Sequence, residues 1–466
     1  VNGDAAAHTI LVSGSTGSVK VYAVAGDQYD TYQLDPAGFL AANEVVANQV
    51  GGTFNVTGYV AVTAKAATRQ FVLVTVDSAG LPGDVSISTG SANDELIVQA
   101  RNNDRPNVGR INMSAGAGAD NMFIFDMNVT NAITIDGGTS GFRPGVNSPL
   151  APGDVFELFD CSTQAVNVVN AIVGIDDQYG GSTINGNLTV NDPTVFAQGG
   201  FYVNQVPYPA GFTKYGDPGY NGLLVINSNS TVNGSVTYYG SPDTDGVYIQ
   251  GTVNGNVSLN GGTTTSTGND DWVLSGHVSG SYTVAGSDGV DHVALLSGAY
   301  VGGPATFNLR NGNNTYDFDH SFKVAANLGA AQTGTAGMTI TAGTGDDVVG
   351  RISGTIGTNA GIAVNQVYQL GSGNNSLIWN GTYIGSTAGR FDFTTGSGID
   401  ELDVYNNNAF RLYANMGTGD DTVMVFPNTK VSFSQLVFGP GQGTFDRNGN
   451  PIPLSFWNSN AAVNNP

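Results

Sequence analysis

The chain has 466 residues and a formal net charge of −22, although only 11% of its residues are charged. That balance argues against nucleic acid, which requires basic patches, and against an anionic membrane surface. No run of 18 apolar residues occurs, so no membrane-inserted segment is expected.

Asp and Glu total 37, yet the only glutamates are Glu44, Glu95, Glu157 and Glu401. Asp favours turns and caps where Glu favours helix faces, so the chain is expected to be turn-rich and poor in helix. Cys161 is the only cysteine, which excludes a disulfide within the chain and suits a small buried hydrophobe.

In chain order, residues 1–84 read as an N-terminal β module or cap. Alternation marks strands at His8–Ser13, Ser18–Val24, Gly58–Thr63 and Phe71–Val76. The one clear helix signal follows Asp35, which can cap. Pro36 suits the first helical position, and Phe39, Leu40, Val45 and Val46 give an apolar face up to Val50. Residues 85–160 read as three coils of a repeat. Residues 161–220, with Tyr202, Pro207, Tyr208, Pro209, Tyr215, Pro218 and Tyr220, read as an insertion. It is either a loop on the flank or a contact surface for a neighbour or a glycan. Residues 221–438 form the longest regular stretch. Residues 439–466, rich in Asn and Pro, read as an irregular tail or docking arm.

The repeat rests on one phrase. Ala-Gly-Thr-Gly-Asp-Asp (342–347), Leu-Gly-Ser-Gly-Asn-Asn (370–375), Thr-Gly-Ser-Gly-Ile-Asp (395–400) and Met-Gly-Thr-Gly-Asp-Asp (416–421) are near-copies. In each, an apolar residue follows two places after the final Asp or Asn. Related phrases start at Asp94, Asp120, Asp154, Asn221, Asp245, Asp270, Asp291 and Asn314. Nine of the twelve carry Gly two places earlier. A turn followed by a half-buried strand, recurring at steps near 25 residues, suits one coil of a parallel β-solenoid. Leu96, Met122, Phe156, Leu223, Val247, Trp272, Val293 and Tyr316 are then expected to stack as one internal apolar column. At Asp347 the copy is imperfect, because Arg351 replaces the second apolar residue. The expected fold is therefore all-β: a parallel β-solenoid (β-helix) with an N-terminal cap and an irregular insertion. A sandwich or a string of immunoglobulin-like modules is the competing fold, but neither predicts one turn phrase at coil-length steps.

The Gly-x-Gly-x-Asp phrases resemble the calcium-binding repeats of RTX proteins, found in secreted surface proteins. They depart from that pattern by occurring once per coil rather than every nine residues. The resemblance implies Ca²⁺ as a cofactor, with Asp347, Asp400 and Asp421 as ligands and Asp346 and Asp420 beside them. Asp270 and Asp291 hold the same place in earlier coils. Stacked carboxylates repel, and Ca²⁺ would neutralise them. The alternative is a ladder in which each Asp or Asn bonds the backbone of its own turn. The Asn at 221, 314 and 375 favours that alternative.

No catalytic constellation stands out. The histidines His8, His277, His292 and His320 show no metal-binding spacing, and no nucleophile elbow or P-loop occurs. A β-helix polysaccharide lyase or glycosidase needs clustered carboxylates, or Ca²⁺ with a basic residue. No local cluster singles out Arg310, Arg351, Arg390 or Arg411. The expected function is structural: an extracellular, self-assembling subunit of a surface layer, sheath or filament, with copies of itself as partners. A glycan-binding adhesin or fibre is the alternative.

Overall fold

The computed structural model describes residues 8–140, 154–191 and 222–437. Stretches 16–17, 27, 46–47, 52, 55, 57, 65–66, 82, 177–180, 243, 263–267, 320–321, 325–335, 353–354, 357–364, 381–382, 385–389, 406–410 and 426–432 lie outside the description. The chain is 57% strand and 5% helix, and its coils stack in parallel about 25 residues apart, giving a β-solenoid of about ten turns. It divides into two compact units, Val1–Ser241 and Pro242–Pro466.

Each coil has the same three sides. In the first unit, sheet one holds Phe71–Val76, Glu95–Ala100, Asn121–Phe125, Val155–Phe159, Ile172–Asp176 and Gly222–Ile226, all parallel. Sheet two is a column of two-residue strands such as Asn107–Val108, Thr183–Ile184 and Thr231–Val232. Sheet three holds Val60–Ala64, Val85–Thr89, Ile111–Ser114, Leu188–Asn191 and Val236–Tyr239. The longer strands Asn128–Asp136 and Ser162–Val169 run through the corner and belong to sheets two and three at once.

The second unit repeats this plan. Its sheet one runs from Asp245–Ile249 to Thr422–Val425, and its sheet three from Val257–Asn260 to Phe433–Val437.

The apolar column forms. Leu96, Met122, Phe156, Val173 and Leu224 are in register in the first unit. In the second, Val247, Trp272, Val293, Tyr316, Val349, Leu377, Leu402 and Val423 continue coil on coil. All are buried. One expected member shifts: Leu224, not Leu223, faces inward. Every residue of Gly222–Ile226 is buried, so alternation could not tell its two faces apart. Asn221 lies outside the described residues. The imperfect copy is repaired by a bulge. The register slips between Val349 and Ile352, so Ile352 rather than Arg351 pairs with Trp379.

The coils also begin earlier than expected. Val60–Ala64 and Phe71–Val76 already pair in parallel with the next coil, inside the stretch read as a cap. The cap proper is the antiparallel hairpin His8–Ser15 and Ser18–Ala25, whose first strand joins Phe71–Val76 in parallel. Two helices, α1 (Tyr29–Leu34) and α2 (Pro36–Asn43), cover the outer face. Asp35 caps α2 by accepting the Gly38 N–H at 2.9 Å. The helix stops at Asn43 rather than Val50. The chain turns there so that Gln49 bridges Tyr22 and Phe54 bridges Val19, and Val45 stays exposed. Tyr29, Tyr32 and Phe39 pack on Phe71 with ring centroids 5.4–6.0 Å apart. Arg101 fastens the cap by donating to Asp77 at 2.7 Å and Glu44 at 2.9 Å. An edge strand is thus sealed with aromatic area and a charge clamp.

The expected insertion also begins later. Ser162–Val169, Ile172–Asp176 and Leu188–Asn191 belong to regular coils. The phrase is missing there because Ala171 occupies the Asp position: Val155 pairs with Ile172, so Asp154 sits opposite Ala171. Residues 192–220, with most of the aromatic and proline residues of that stretch, lie outside the description, as does the tail 439–466.

Candidate functional site

The corner between sheets three and one holds the sequence-predicted residues. Asp270, Asp291, Asp347, Asp400 and Asp421 are all buried there, with Asp94, Asp120, Asp154, Asp245, Asn314 and Asn375 in the same place on other coils. They form an inner ladder whose bonds run between coils, not within one turn. In the first unit Oδ1 of Asp94 accepts the Gln70 N–H, Oδ1 of Asp120 that of Asp94, and Oδ1 of Asp154 that of Asp120, at 2.5–2.9 Å. In the second unit the backbone N–H groups of 245, 270, 291, 314, 347, 375 and 400 each donate to Oδ1 of the next member. Those bonds measure 2.9–3.2 Å and end on Asp421. Each satisfies a backbone donor at a corner where the sheet ladder breaks, and such a donor cannot be left dry.

One residue earlier lies an outer ladder of opposite sense. Here the side chain of one coil accepts from the backbone of the following coil. Asn93 accepts from Ala119, Asn269 from Val290, Asn313 from Asp346, Asp346 from Asn374, and Asn374 from Ile399, at 2.7–3.0 Å. Asp346 and Asp420 belong to this exposed column. The structure brings these residues to one corner, and neither the direction of the bonds nor the second column is legible in the phrase.

The glycines follow from the same geometry. Gly398 and Gly419 have φ of +150° and +148°. A Cβ there would stand 1.8 and 1.5 Å from the carbonyl oxygens of Gly373 and Gly398 in the preceding coil. Gly two places before the Asp therefore serves both a left-handed turn and the close approach of two coils.

Burial dominates the electrostatics. It pushes the Asp94 carboxyl up to about 6, Asp291 and Asp347 to about 7, and Asp120 to about 9. Asp270 lies well above the ordinary carboxylate range, and Asp400 is also raised. Neighbouring acids add to the effect: Asp154 and Asp94 raise Asp120, and Asp291 and Asp245 raise Asp270. Asp291 has compensation, since its Oδ2 accepts the Ser287 N–H at 2.9 Å and its Oδ1 the Ser287 hydroxyl at 3.2 Å.

A calcium centre needs six to eight oxygens converging on one point. The inner carboxyls of Asp94, Asp120, Asp154, Asp270, Asp291, Asp347, Asp400 and Asp421 each commit Oδ1 to a neighbour's backbone. For Asp270 the second oxygen lies where a Cβ on Gly261 would fall, and for Asp291 on Gly286. Among the described residues no three His, Cys, Asp or Glu side chains converge as a metal-binding group. The buried column does not fit a calcium centre. The carboxylates of Asp346 and Asp420 face outward.

Two further polar arrangements escaped the sequence reading. On the outer face of sheet one, His292 Nδ1 lies 2.9 Å from Asp271 Oδ1 and Nε2 lies 3.1 Å from Asp317 Oδ2. Burial alone would lower His292, but these two hydrogen bonds and charges raise it to about 9. Both ring nitrogens are engaged by carboxylates, so the imidazolium is a surface clamp across three coils rather than a poised base. At the bend after sheet one, Cys161 is more than a hydrophobe. Its Sγ accepts the Met127 N–H at 3.4 Å, and its own N–H donates to Ser182 Oγ at 3.1 Å. Ser182 N–H in turn donates to Ser230 Oγ at 3.2 Å. Burial pushes the thiol up to about 12, so it is unreactive. Only the in-register stacking of coils, which no local motif announces, brings these residues together. His320 lies outside the described residues.

No family model, curated protein or solved structure matches the chain.

Proposed function

We propose that the chain is a secreted structural protein that assembles with copies of itself into a surface layer, sheath or filament. The observation that supports this reading is where the polar side chains go. The inner and outer ladders, the Cys161–Ser182–Ser230 column and the Asp271–His292–Asp317 clamp all bind one coil to the next. The second corner repeats the device: Asn187 accepts from the Ser235 N–H and Asn256 from the Ser281 N–H, both at 2.9 Å. In such a molecule polar chemistry is devoted to cohesion between coils. Repeated coils suit heterologous, head-to-tail contacts that propagate. Calcium enters the proposal at the exposed carboxylates Asp346 and Asp420, where it would bridge neighbouring subunits.

Electron microscopy of the purified chain, in millimolar Ca²⁺ and after chelation, tests the proposal. Ordered sheets or fibres are expected, dispersing on chelation. Monomers in both buffers would overturn assembly, and affinity for glycans in that state would move the reading to an adhesin. Sheets that persist after chelation would remove calcium and keep the structural role.

A further inference from the structure

The inner column contains two kinds of step. Where Asn precedes Asp, the Asn uses both ends of its amide. Asn314 Oδ1 accepts the Asp291 N–H, while its Nδ2 donates to Asp347 Oδ1 at 2.9 Å and to the Gly312 carbonyl at 3.2 Å. Asn375 does the same toward Asp400 Oδ1 at 2.9 Å and the Gly373 carbonyl at 3.2 Å. Where Asp precedes Asp, the position of Nδ2 is taken by a carboxyl oxygen. Oδ2 of Asp120 and Oδ2 of Asp270 are buried and meet no donor. The carboxyl of the next coil lies against the same residue: Asp154 Oδ1 accepts the Asp120 N–H at 2.9 Å, and Asp291 Oδ1 the Asp270 N–H at 3.0 Å. A buried acceptor facing another acceptor is repulsive unless one carries a proton.

We propose that Asp120 and Asp270 are neutral acids in the folded chain, each sharing its Oδ2 proton with the carboxyl of the next coil as the Asn314 and Asn375 amides do, so that the solenoid is locked by protons and loosens as pH rises. Asp120 is faced by Asp94 and Asp154; Asp270 is faced by Asp245 and Asp291, with the Ser287 hydroxyl beside it. All the titratable groups named are acids, so none offers a counter-charge. The folded values lie above the ordinary value of 3.8. The native state therefore holds protons that the unfolded state has released. The stabilisation is complete below about pH 4 and fades as pH rises through the folded values, about 9 for Asp120 and well above the ordinary carboxylate range for Asp270. A divalent cation is then not needed in the column, because it carries less charge than its composition suggests.

Thermal unfolding of the full chain at pH 5 and pH 8, beside the double variant D120N/D270N, tests this. The wild-type midpoint is expected to fall by on the order of 5 °C between the two pH values. The double variant, whose amides need no proton, should lose most of that fall and melt above wild type at pH 8. D346N/D420N removes exposed negative charge only and should keep the wild-type slope. A wild type at least as stable at pH 8 as at pH 5 would overturn the proposal, as would a double variant with the wild-type slope. Should the double variant not fold, infrared spectra of the wild type at pH 6.5 decide. A carboxylic-acid carbonyl band present in the folded chain and lost on unfolding supports the shared protons, and its absence sinks them.

Discussion

The inner and outer columns of the Asp/Asn corner use one bond in two environments. Both have a side-chain oxygen accept a backbone N–H from an adjacent coil at about the same distance. The inner column is buried and tolerates only Asp or Asn wherever a ladder bond is made. In the second unit the outer column is exposed and admits Val290 and Ile399, at which its side-chain bonds stop. Water explains the difference. A lost outer bond is replaced by solvent, whereas a lost inner bond leaves a dry donor.

Several substitutions sharpen that contrast. Gly398→Ala is the most severe, because it adds a Cβ 1.8 Å from the Gly373 carbonyl at a φ of +150°. A loss of about 3 kcal/mol or more is expected, read as a drop in the denaturant midpoint. Asp400→Ala comes next. It strips the acceptor from both the N–H and the Nδ2 of Asn375, each at 2.9 Å, and should cost about 2–4 kcal/mol. Asn374→Ala, one position away, removes only the exposed bond to the Ile399 N–H and should cost under about 1 kcal/mol. Equal losses at 374 and 400 would break the comparison, since burial would then not be what separates the columns.

The surface clamp gives a smaller effect with a clean readout. Asp317→Asn removes one of the two carboxylates on His292 and should bring its pKa down from about 9 toward its ordinary value. An NMR titration of the imidazole would follow this. The stabilisation by His292 is present below its unfolded value and fades as pH rises through the folded one, the same sense as for the inner acids. An unmoved titration would mean that Asp271 alone holds the ring.

The solenoid was legible because one phrase returned at coil-length steps, with Gly placed two residues before the Asp. What the sequence concealed is instructive. The cap was readable at Asp35 and Pro36, but helix α1 has no comparable signal. The coil through Ile172 carries Ala171 where the preceding coil carries Asp154, so the phrase skips a coil of a regular structure. The register at Leu224 was hidden by a strand buried on both faces. At the site, the repeated Asp and Asn were legible and the bonds they make between coils were not. The phrase resembles a calcium repeat, yet whether a carboxylate meets a cation or a neighbour's N–H depends on stacking between coils, which local spacing does not encode. His292 meets Asp271 and Asp317 for the same reason, the partners lying 21 and 25 positions away in the sequence.

The smallest effect is expected for Cys161→Ser. A lone buried cysteine is ordinarily a packing residue, and Cys161→Ala would then be nearly neutral. In this fold the sulfur accepts the Met127 N–H and stands in line with the hydroxyls of Ser182 and Ser230. Serine at 161 would continue that column with a better acceptor on a shorter bond, at the loss of some packing volume. Cys161→Ser is therefore expected within about 0.5 kcal/mol of wild type, while Cys161→Ala leaves the Met127 N–H dry and should cost about 1–2 kcal/mol. The ordering of the two variants is the informative quantity. Alanine at least as stable as serine would return Cys161 to a packing role. Serine above alanine would place it in the same class as the inner aspartates: a side chain kept for the backbone of the coil beside it.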